Sequence, residues 1–172
     1  MCIRDSPKTA GLNVWRPELG GGALLDLGVY PLTLAHLVLG KPVALKATGV
    51  VQDDGLDVTE SVFLDHGDGR FAQTLSSIGG FVNPVASIGG TTGFVAFDEP
   101  FMSATTYRVV LPRTGDTRTV TVDKEGNGDV PMFRAVSQAV AEGKLEHPFR
   151  PLASTVEVLE TMDEVRRQIT AS

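Results

Sequence analysis

Cysteine is almost absent from this chain of 172 residues, because Cys2 is the only one. An internal disulfide is therefore excluded, and the composition fits a reducing compartment, so we expect a cytoplasmic location. Basic clusters are also missing: the 15 Lys and Arg residues form no run longer than two, and the net charge is −6. Phosphate backbones are bound by clustered basic surface, so no nucleic-acid partner is expected.

Uninterrupted apolar runs are missing as well. The best candidate for a membrane span, Ala23 to Gly40, contains Asp26, Pro31 and His36. A spanning helix needs roughly 20 consecutive apolar residues, so this run is interpreted as a helix buried in a protein core. No secretory signal is recognised at the N-terminus, and no membrane partner is expected.

The sequence does contain enough apolar material for one domain, since 42% of its residues are hydrophobic. The first six residues, Met1 to Ser6, are interpreted as foreign to the natural protein and are excluded from the fold. On this interpretation the chain begins within a longer protein, Cys2 is not native, and residues 7–172 form a single domain.

An apolar helix is predicted early in this domain. The glycine triplet 20–22 precedes it, and Gly40 with Pro42 predicts its end. Because the segment is apolar on nearly every side, we expect it between two layers of structure. Pro31 removes the amide that would bond to Leu27, and should kink or split the helix.

From Pro42 onward the hydrophobic period changes to two, which predicts β-strands. Short turns separate them, and short connections favour antiparallel neighbours because parallel pairs need long crossovers. Three aspartates, Asp53, Asp54 and Asp57, are interpreted as parts of one such turn rather than as calcium ligands. The predicted strands are Val43–Val51, Val58–Asp65, Phe71–Ser77, Val85–Ile88, Phe94–Phe97, Thr106–Leu111 and Thr119–Val122.

Two helices are predicted at the C-terminal end. The first runs from about Val130 to Glu142 with Asp129 as its cap, and the second begins near Ser154, which has capping-box spacing with Glu157. The apolar stripe of the second helix consists of Val158, Met162, Val165 and Ile169. We therefore expect an α+β domain with a large, mainly antiparallel open sheet and helices on one face.

The outer face of the predicted sheet is not cleanly polar. Val109 and Leu111 alternate with Arg108 and Val110, so both faces carry apolar side chains. The second face of an antiparallel sheet lies either in solvent or against a partner. The pattern leaves both alternatives open, and the second would be a subunit interface in a homo-oligomer.

Asp26 is the most informative candidate for chemistry, because it is a carboxylate inside an apolar run, where an unpaired charge is costly to bury. Its spacing of four from Tyr30 places both side chains on one face of a helix. A carboxylate and a phenol on one cleft can bind hydroxyl groups and move a proton. A tyrosine has an unperturbed pKa of about 10, so this work near neutral pH requires a neighbouring cation. The alternative is structural, with Asp26 capping a buried backbone group and Tyr30 as a core aromatic.

The glycine triplet Gly20, Gly21 and Gly22 is the second candidate. Glycines let the backbone approach a ligand closely, and the start of a helix presents free amides. The alternative is a flexible entry to the helix. The triplet is not the G-x-G-x-x-G dinucleotide fingerprint, since no strand precedes it. His66 and His147 lack metal-ligand spacing, so no metal is expected.

Segment 17–30, PELGGGALLDLGVY, closely resembles the glucose–fructose oxidoreductase and inositol dehydrogenase (Gfo/Idh/MocA) family. The family pattern is G-G-G-x-x-x-D-x-G-x followed by His or Tyr. Segments 88–95 (IGGTTGFV) and 146–152 (EHPFRPL) resemble two further family segments. The resemblance covers nearly all of residues 7–172, and is strongest to the branch of dimeric dihydrodiol dehydrogenases and NADP-dependent sugar dehydrogenases.

This resemblance implies the C-terminal, substrate-side half of an NAD(P)-dependent oxidoreductase, acting on a secondary alcohol of a sugar or dihydrodiol. It implies that Tyr30 is the catalytic acid–base, that Asp26 orients the substrate, and that Gly20 to Gly22 lie near substrate or cofactor. The cofactor, with NADP favoured by the branch, would be bound mainly by a Rossmann domain that this chain lacks. That domain would also supply the catalytic lysine. The alternative from another class is a non-catalytic sheet domain for oligomerisation or ligand binding.

Overall fold

The computed structural model describes residues 2–3, 12–126 and 128–171. The chain divides into two compact units, one formed by Met1–Ala86 with Val158–Ser172 and the other by Ser87–Glu157.

The first unit contains a four-stranded sheet in the order β1-β4-β3-β2. The β2–β3 and β3–β4 pairs are antiparallel, whereas β1 runs parallel to β4. Of the segment 1–6 interpreted as foreign, only the backbone of β1 lies within the described residues. The strands are β1 (Cys2–Ile3), β2 (Ala44–Val51), β3 (Asp57–Asp65) and β4 (Phe71–Ser77).

Helical segments cover one face of this sheet. Two short 3₁₀ turns, Asn13–Trp15 and Pro17–Leu19, lead to a π-helical turn at Leu24–Gly28, and α1 follows at Val29–Leu39. The helix predicted from the apolar run is thus split between π and α geometry, just before Pro31. The main core joins this segment to β3 and to the last helix, and contains Leu24, Leu32, Ala35, Val62, Leu64, Val158, Met162, Val165 and Ile169.

The last helix, α3, spans Leu152–Thr170. All four residues of its predicted apolar stripe are buried, so that prediction is confirmed. The predicted capping box is wrong, because the helix begins two residues before Ser154, whose hydroxyl donates to the Pro151 carbonyl at 2.7 Å. The Leu152 amide instead donates to Glu146 Oε2 at 2.8 Å, so the cap comes from further along the preceding loop.

The second unit contains a four-stranded sheet, whose strands are β5 (Ala86–Gly89), β6 (Phe94–Phe97), β7 (Thr106–Leu111) and β8 (Asp116–Thr121). Their order in the sheet is β5-β6-β7-β8, and α2 follows at Val130–Ala141. Asp129 occupies the N-cap position of α2, as predicted, but its side chain makes no capping hydrogen bond.

The α+β class and the mainly antiparallel pairing predicted from the sequence are confirmed. One large sheet was expected, whereas in the described residues the seven predicted strands and the short β1 form two sheets of four strands. β4, β6 and β7 have the predicted limits, and β8 begins three residues early. Residues 17–39 are long and apolar enough to cross a membrane, but half of that stretch is buried in the fold. A core helix has this same composition.

Candidate functional site

The predicted site segment is a π-helical turn at Leu24–Gly28 that continues into α1. The Val29 amide donates to the Leu24 carbonyl five residues earlier, rather than four. Asp26 lies in the middle of this turn, and Tyr30 lies in the first turn of α1. Single π-helical turns are rare in proteins, and many of those that occur lie at functional sites.

Asp26 and Tyr30 are both on the exposed side of this segment. Tyr30 has an exposed fraction of 46%, and Asp26 is also exposed. Their neighbours Leu24, Leu27 and Gly28 are buried against the sheet. A core aromatic and a carboxylate that caps a buried group would be enclosed, so the exposure disfavours the structural alternative.

A small cleft lies beside Asp26, with a volume of about 190 Å³. It brings Asp26 together with Gly20 and Gly21 of the predicted site. Gly22 and Tyr30 are not part of the lining. The lining residues are Asn13, Val14, Leu19, Gly20, Gly21, Leu25 and Asp26.

The amides of the glycine triplet are used inside the chain. Gly20 donates to the Pro17 carbonyl, Gly21 to the Arg16 carbonyl and Gly22 to the Val14 carbonyl, at 3.0, 2.9 and 2.9 Å. These bonds fold the entry loop back on itself ahead of the π-helical turn. The triplet therefore shapes one wall of the cleft and does not present a row of free amides to a ligand.

Asp57 anchors the start of the π-helical turn, and sequence reasoning missed it. Its Oδ2 accepts a hydrogen bond from the Leu24 amide at 2.6 Å, and the side chain is only 5% exposed. Its Oδ1 lies so close to Gly22 that an added Cβ there would be 2.2 Å away. Gly22 also has a φ of +119°, so both the lack of space and the backbone conformation require glycine at this position. The interpretation of Asp57 as a turn residue is wrong, because it begins β3.

Glu60 lies below the other end of the turn. Its side chain is 1% exposed, and neither carboxyl oxygen has a hydrogen-bond partner of good geometry. A Cβ on Gly28 would lie 2.8 Å from Glu60 Oε1, so glycine is what allows the turn to pack on this acid. Burial, with the negative charge of Asp57 second, raises the pKa of Glu60 to about 9, although the Ser76 hydroxyl opposes the increase. At neutral pH this carboxyl group is protonated.

A β-bulge brings the two acids to the same face of the sheet. Side chains alternate along a strand, so residues three apart face opposite ways. Val51 pairs with Asp57 and Val50 pairs with Thr59, which leaves Val58 as an extra residue. One inserted residue reverses the alternation, and Asp57 then faces inward like Glu60. The sequence carries no signal for this bulge apart from the unusual acids themselves.

The sequence of this chain is similar to that of a curated dehydrogenase. The chain is 30% identical over 162 residues to trans-1,2-dihydrobenzene-1,2-diol dehydrogenase from Xenopus laevis, covering 88% of this chain and 48% of that protein. It therefore spans about half the length of the curated relatives that it matches.

Two solved structures have a similar fold over nearly the whole chain. One is aldose-aldose oxidoreductase from Caulobacter crescentus complexed with glycerol, with a TM-score of 0.81, 20% identity, and coverage of 98% of this chain and 52% of that one. The other is a tyrosine-to-phenylalanine variant of a 3-ketoreductase from Actinomadura kijaniata in complex with TDP-benzene and NADP. Its TM-score is 0.74 at 25% identity, with coverage of 96% of this chain and 51% of that one.

A family model matches the part of the chain that contains the motif of segment 17–30. The GFO/IDH/MocA C-terminal domain matches residues 2–96, which include the glycine triplet, the π-helical turn and both buried acids. The chain therefore belongs to the GFO/IDH/MocA C-terminal domain family, as the sequence resemblance indicated.

Proposed function

We propose that this chain is the substrate-side part of an NAD(P)-dependent oxidoreductase that acts on a secondary alcohol of a sugar or a dihydrodiol. The observation that carries the proposal is the exposure of Asp26 and Tyr30 on one segment, beside a cleft of about 190 Å³, in a chain of this family. The relatives that support it are named as a diol dehydrogenase and as oxidoreductases solved with glycerol or a TDP compound.

The described residues suit a small hydroxylated substrate better than a dinucleotide. Binding sites for larger ligands usually exceed about 300 Å³, and the cleft is smaller. A dinucleotide also needs amides that cradle its phosphates, and those of Gly20 to Gly22 are already bonded within the chain. The cofactor would accordingly be held mainly by another domain of the complete protein. The preference for NADP over NAD comes from the resemblance to the NADP-dependent branch of the family.

Tyr30 and Asp26 would have different roles in this reaction. Hydride transfer is the chemistry that a nicotinamide supplies when bound. The Tyr30 phenolate, which a cation of that other domain would stabilise, would take the proton from the substrate alcohol during oxidation, and the resulting phenol would return the proton during reduction. Asp26 would accept a hydrogen bond from a substrate hydroxyl at the wall of the cleft and so orient the carbon that reacts.

The competing function is a non-catalytic sheet domain. In a domain of that kind Asp26 and Tyr30 would be buried, with their polar atoms hydrogen-bonded inside the fold. Both residues are instead exposed. The decisive assay follows NADP⁺ and NAD⁺ reduction at 340 nm by the complete protein, with aldoses, inositols and trans-dihydrodiols as substrates. Turnover of any of these classes supports the oxidoreductase, whereas a complete protein that binds NADPH but turns over none of them favours the alternative.

The isolated chain is expected not to bind NADPH. No amide cradle for phosphate is found in the glycine triplet, and the cleft is too small for the dinucleotide. Titration of the 172-residue chain with NADPH, followed by nicotinamide fluorescence, should give no saturable signal. Micromolar binding would show that the cofactor domain has been wrongly placed outside this chain.

The complete protein is expected to form a homo-oligomer through a sheet face. Phe63 and Phe71 stack at 5.6 Å on the outer side of the first sheet, where they are 45% and 63% exposed. Exposed aromatic side chains are enriched at subunit interfaces, so this pair is the position on the first sheet that we propose as the contact. Light scattering should show a dimer or larger assembly that Phe63→Asp converts to a monomer. Phe81→Asp is the control, because Phe81 is 86% exposed and lies outside the strands.

That experiment also decides where the interface lies. If Phe63→Asp leaves the assembly intact, the first sheet is not the interface. A wild-type protein that is monomeric at micromolar concentration would contradict the oligomer itself. A cytoplasmic location remains part of this proposal, and it rests on the composition of the chain, which contains a single cysteine.

A further inference from the structure

Two buried carboxyl groups of β3 contact the two ends of the π-helical turn. Asp57 bonds to Leu24 at the beginning of the turn, and Glu60 packs against Gly28 at its end. Asp26 lies midway between these two contacts.

We propose that Asp57 and Glu60 are positioning residues, which together fix the segment that carries Asp26 and Tyr30 and thereby set the affinity for the hydroxylated substrate. This inference rests on the proposed function of Asp26 and Tyr30. Neither acid reaches the cleft, since both are buried beneath the turn.

Asp57 acts as a charged anchor. Its bond to the Leu24 amide is short, at 2.6 Å, as charge-assisted hydrogen bonds are. The amide belongs to the first turn of a helical segment that runs on to Leu39, so the carboxylate also faces the positive end of the helix dipole. Gly22 closes the other side of the carboxylate. Asp57 is therefore held on two sides, and it holds the start of the turn in place.

Glu60 acts as an uncharged filler. Its raised pKa leaves it protonated at neutral pH, so it does not repel Asp57, which is the charged group acting on it. The other groups against it, Gly28 and the Ser76 hydroxyl on β4, carry no charge. Because Oε1 is packed against Gly28, the end of the turn cannot move toward the sheet. One acid thus draws the turn in, and the other sets how close it comes.

Hydrogen exchange of the complete protein tests the anchor without any assay of activity. Asp57→Ala should speed exchange of the amides of residues 24–30 by at least about tenfold, because the first turn loses its acceptor. The control is Asp65→Ala, which removes a carboxylate from the other end of β3, where Asp65 Oδ1 accepts from the Gly67 amide at 2.8 Å. If Asp57→Ala does not fold, Asp57→Asn should show a smaller increase, of about threefold. Wild-type exchange rates over residues 24–30 in the folded variant would overturn the anchor.

A compensation experiment tests the filler. Gly28→Ala should raise the KM for the alcohol at least about tenfold with little change in NADPH affinity, because the new methyl group meets Glu60 Oε1. Adding Glu60→Ala removes that oxygen and should recover a large part of the loss. A double variant no better than Gly28→Ala, or a Gly28→Ala variant with wild-type KM, would overturn this role.

The two experiments separate this inference from the proposed function. If the wild-type protein shows no dehydrogenase activity, the proposed function fails, while hydrogen exchange still decides whether Asp57 holds the turn. If the enzyme is active and neither experiment gives the expected change, the positioning role fails alone.

Discussion

Replacing Tyr30 by Phe in the complete enzyme is expected to lower kcat by about 10²–10⁴-fold with cofactor affinity nearly unchanged. The two rings fill the same volume, so packing is retained and only the oxygen that carries the proton is lost. Tyr30 is exposed on the outer side of α1, so its hydroxyl contributes nothing to the core. Steady-state kinetics and NADPH titration of the same preparation measure both quantities.

The matched control is Tyr107→Phe, which removes the chain's other phenol hydroxyl. Tyr107 lies on β7 and contacts the Phe97 ring. It belongs to the second unit, whereas Asp26 and Tyr30 belong to the first. Its kcat should match that of the wild type. If Tyr30→Phe kept more than about a third of the wild-type kcat, Tyr30 would not be the acid–base residue. Asp26→Asn should raise KM more than it lowers kcat, because Asp26 orients the substrate.

Replacing Glu60 by Gln is expected to stabilise the protein increasingly as the pH rises. In the unfolded chain this carboxyl group ionises near its ordinary value of 4.5, whereas in the folded chain its pKa is about 9. Between these values the unfolded state has released the proton and the folded state has kept it. The free energy of unfolding of the wild type therefore falls by about 1.4 kcal/mol per pH unit from this group.

The sign of this dependence is opposite to that of most carboxyl groups in folded proteins. The stability that protonated Glu60 allows is fully present below pH 4.5 and is lost as the pH rises toward 9. Urea unfolding of wild type and Glu60→Gln should therefore diverge by about 3 kcal/mol between about pH 5.5 and 8. Glu160→Gln on the surface of α3 is the control, since its exposed pair with Lys41 contributes about 0–1 kcal/mol. Parallel curves for wild type and Glu60→Gln would contradict a protonated Glu60.

The second strand and the last helix could be read from the sequence because each has a regular period. Exposure alternates every two residues along Ala44–Val51, and the stripe from Val158 to Ile169 follows a helical spacing. Local capping was predicted less well. Ser154 lies inside α3 rather than at its start, because Glu146 reaches the first amide from the preceding loop.

The family, the fold class and the candidates Asp26 and Tyr30 could all be predicted from the order of the residues, because a motif of fixed spacing and a change of hydrophobic period are properties of the chain read in order. The exposure of these two residues and the contacts beneath them depend on how the chain packs. The bulge at Val58 turns Asp57 toward Glu60, and the approach of β3 to the π-helical turn explains why positions 22 and 28 are glycine. These contacts join residues more than 30 positions apart, and their energies depend on burial and on the field of a neighbouring charge. Neither quantity exists until the sheet and the helical segment have packed together.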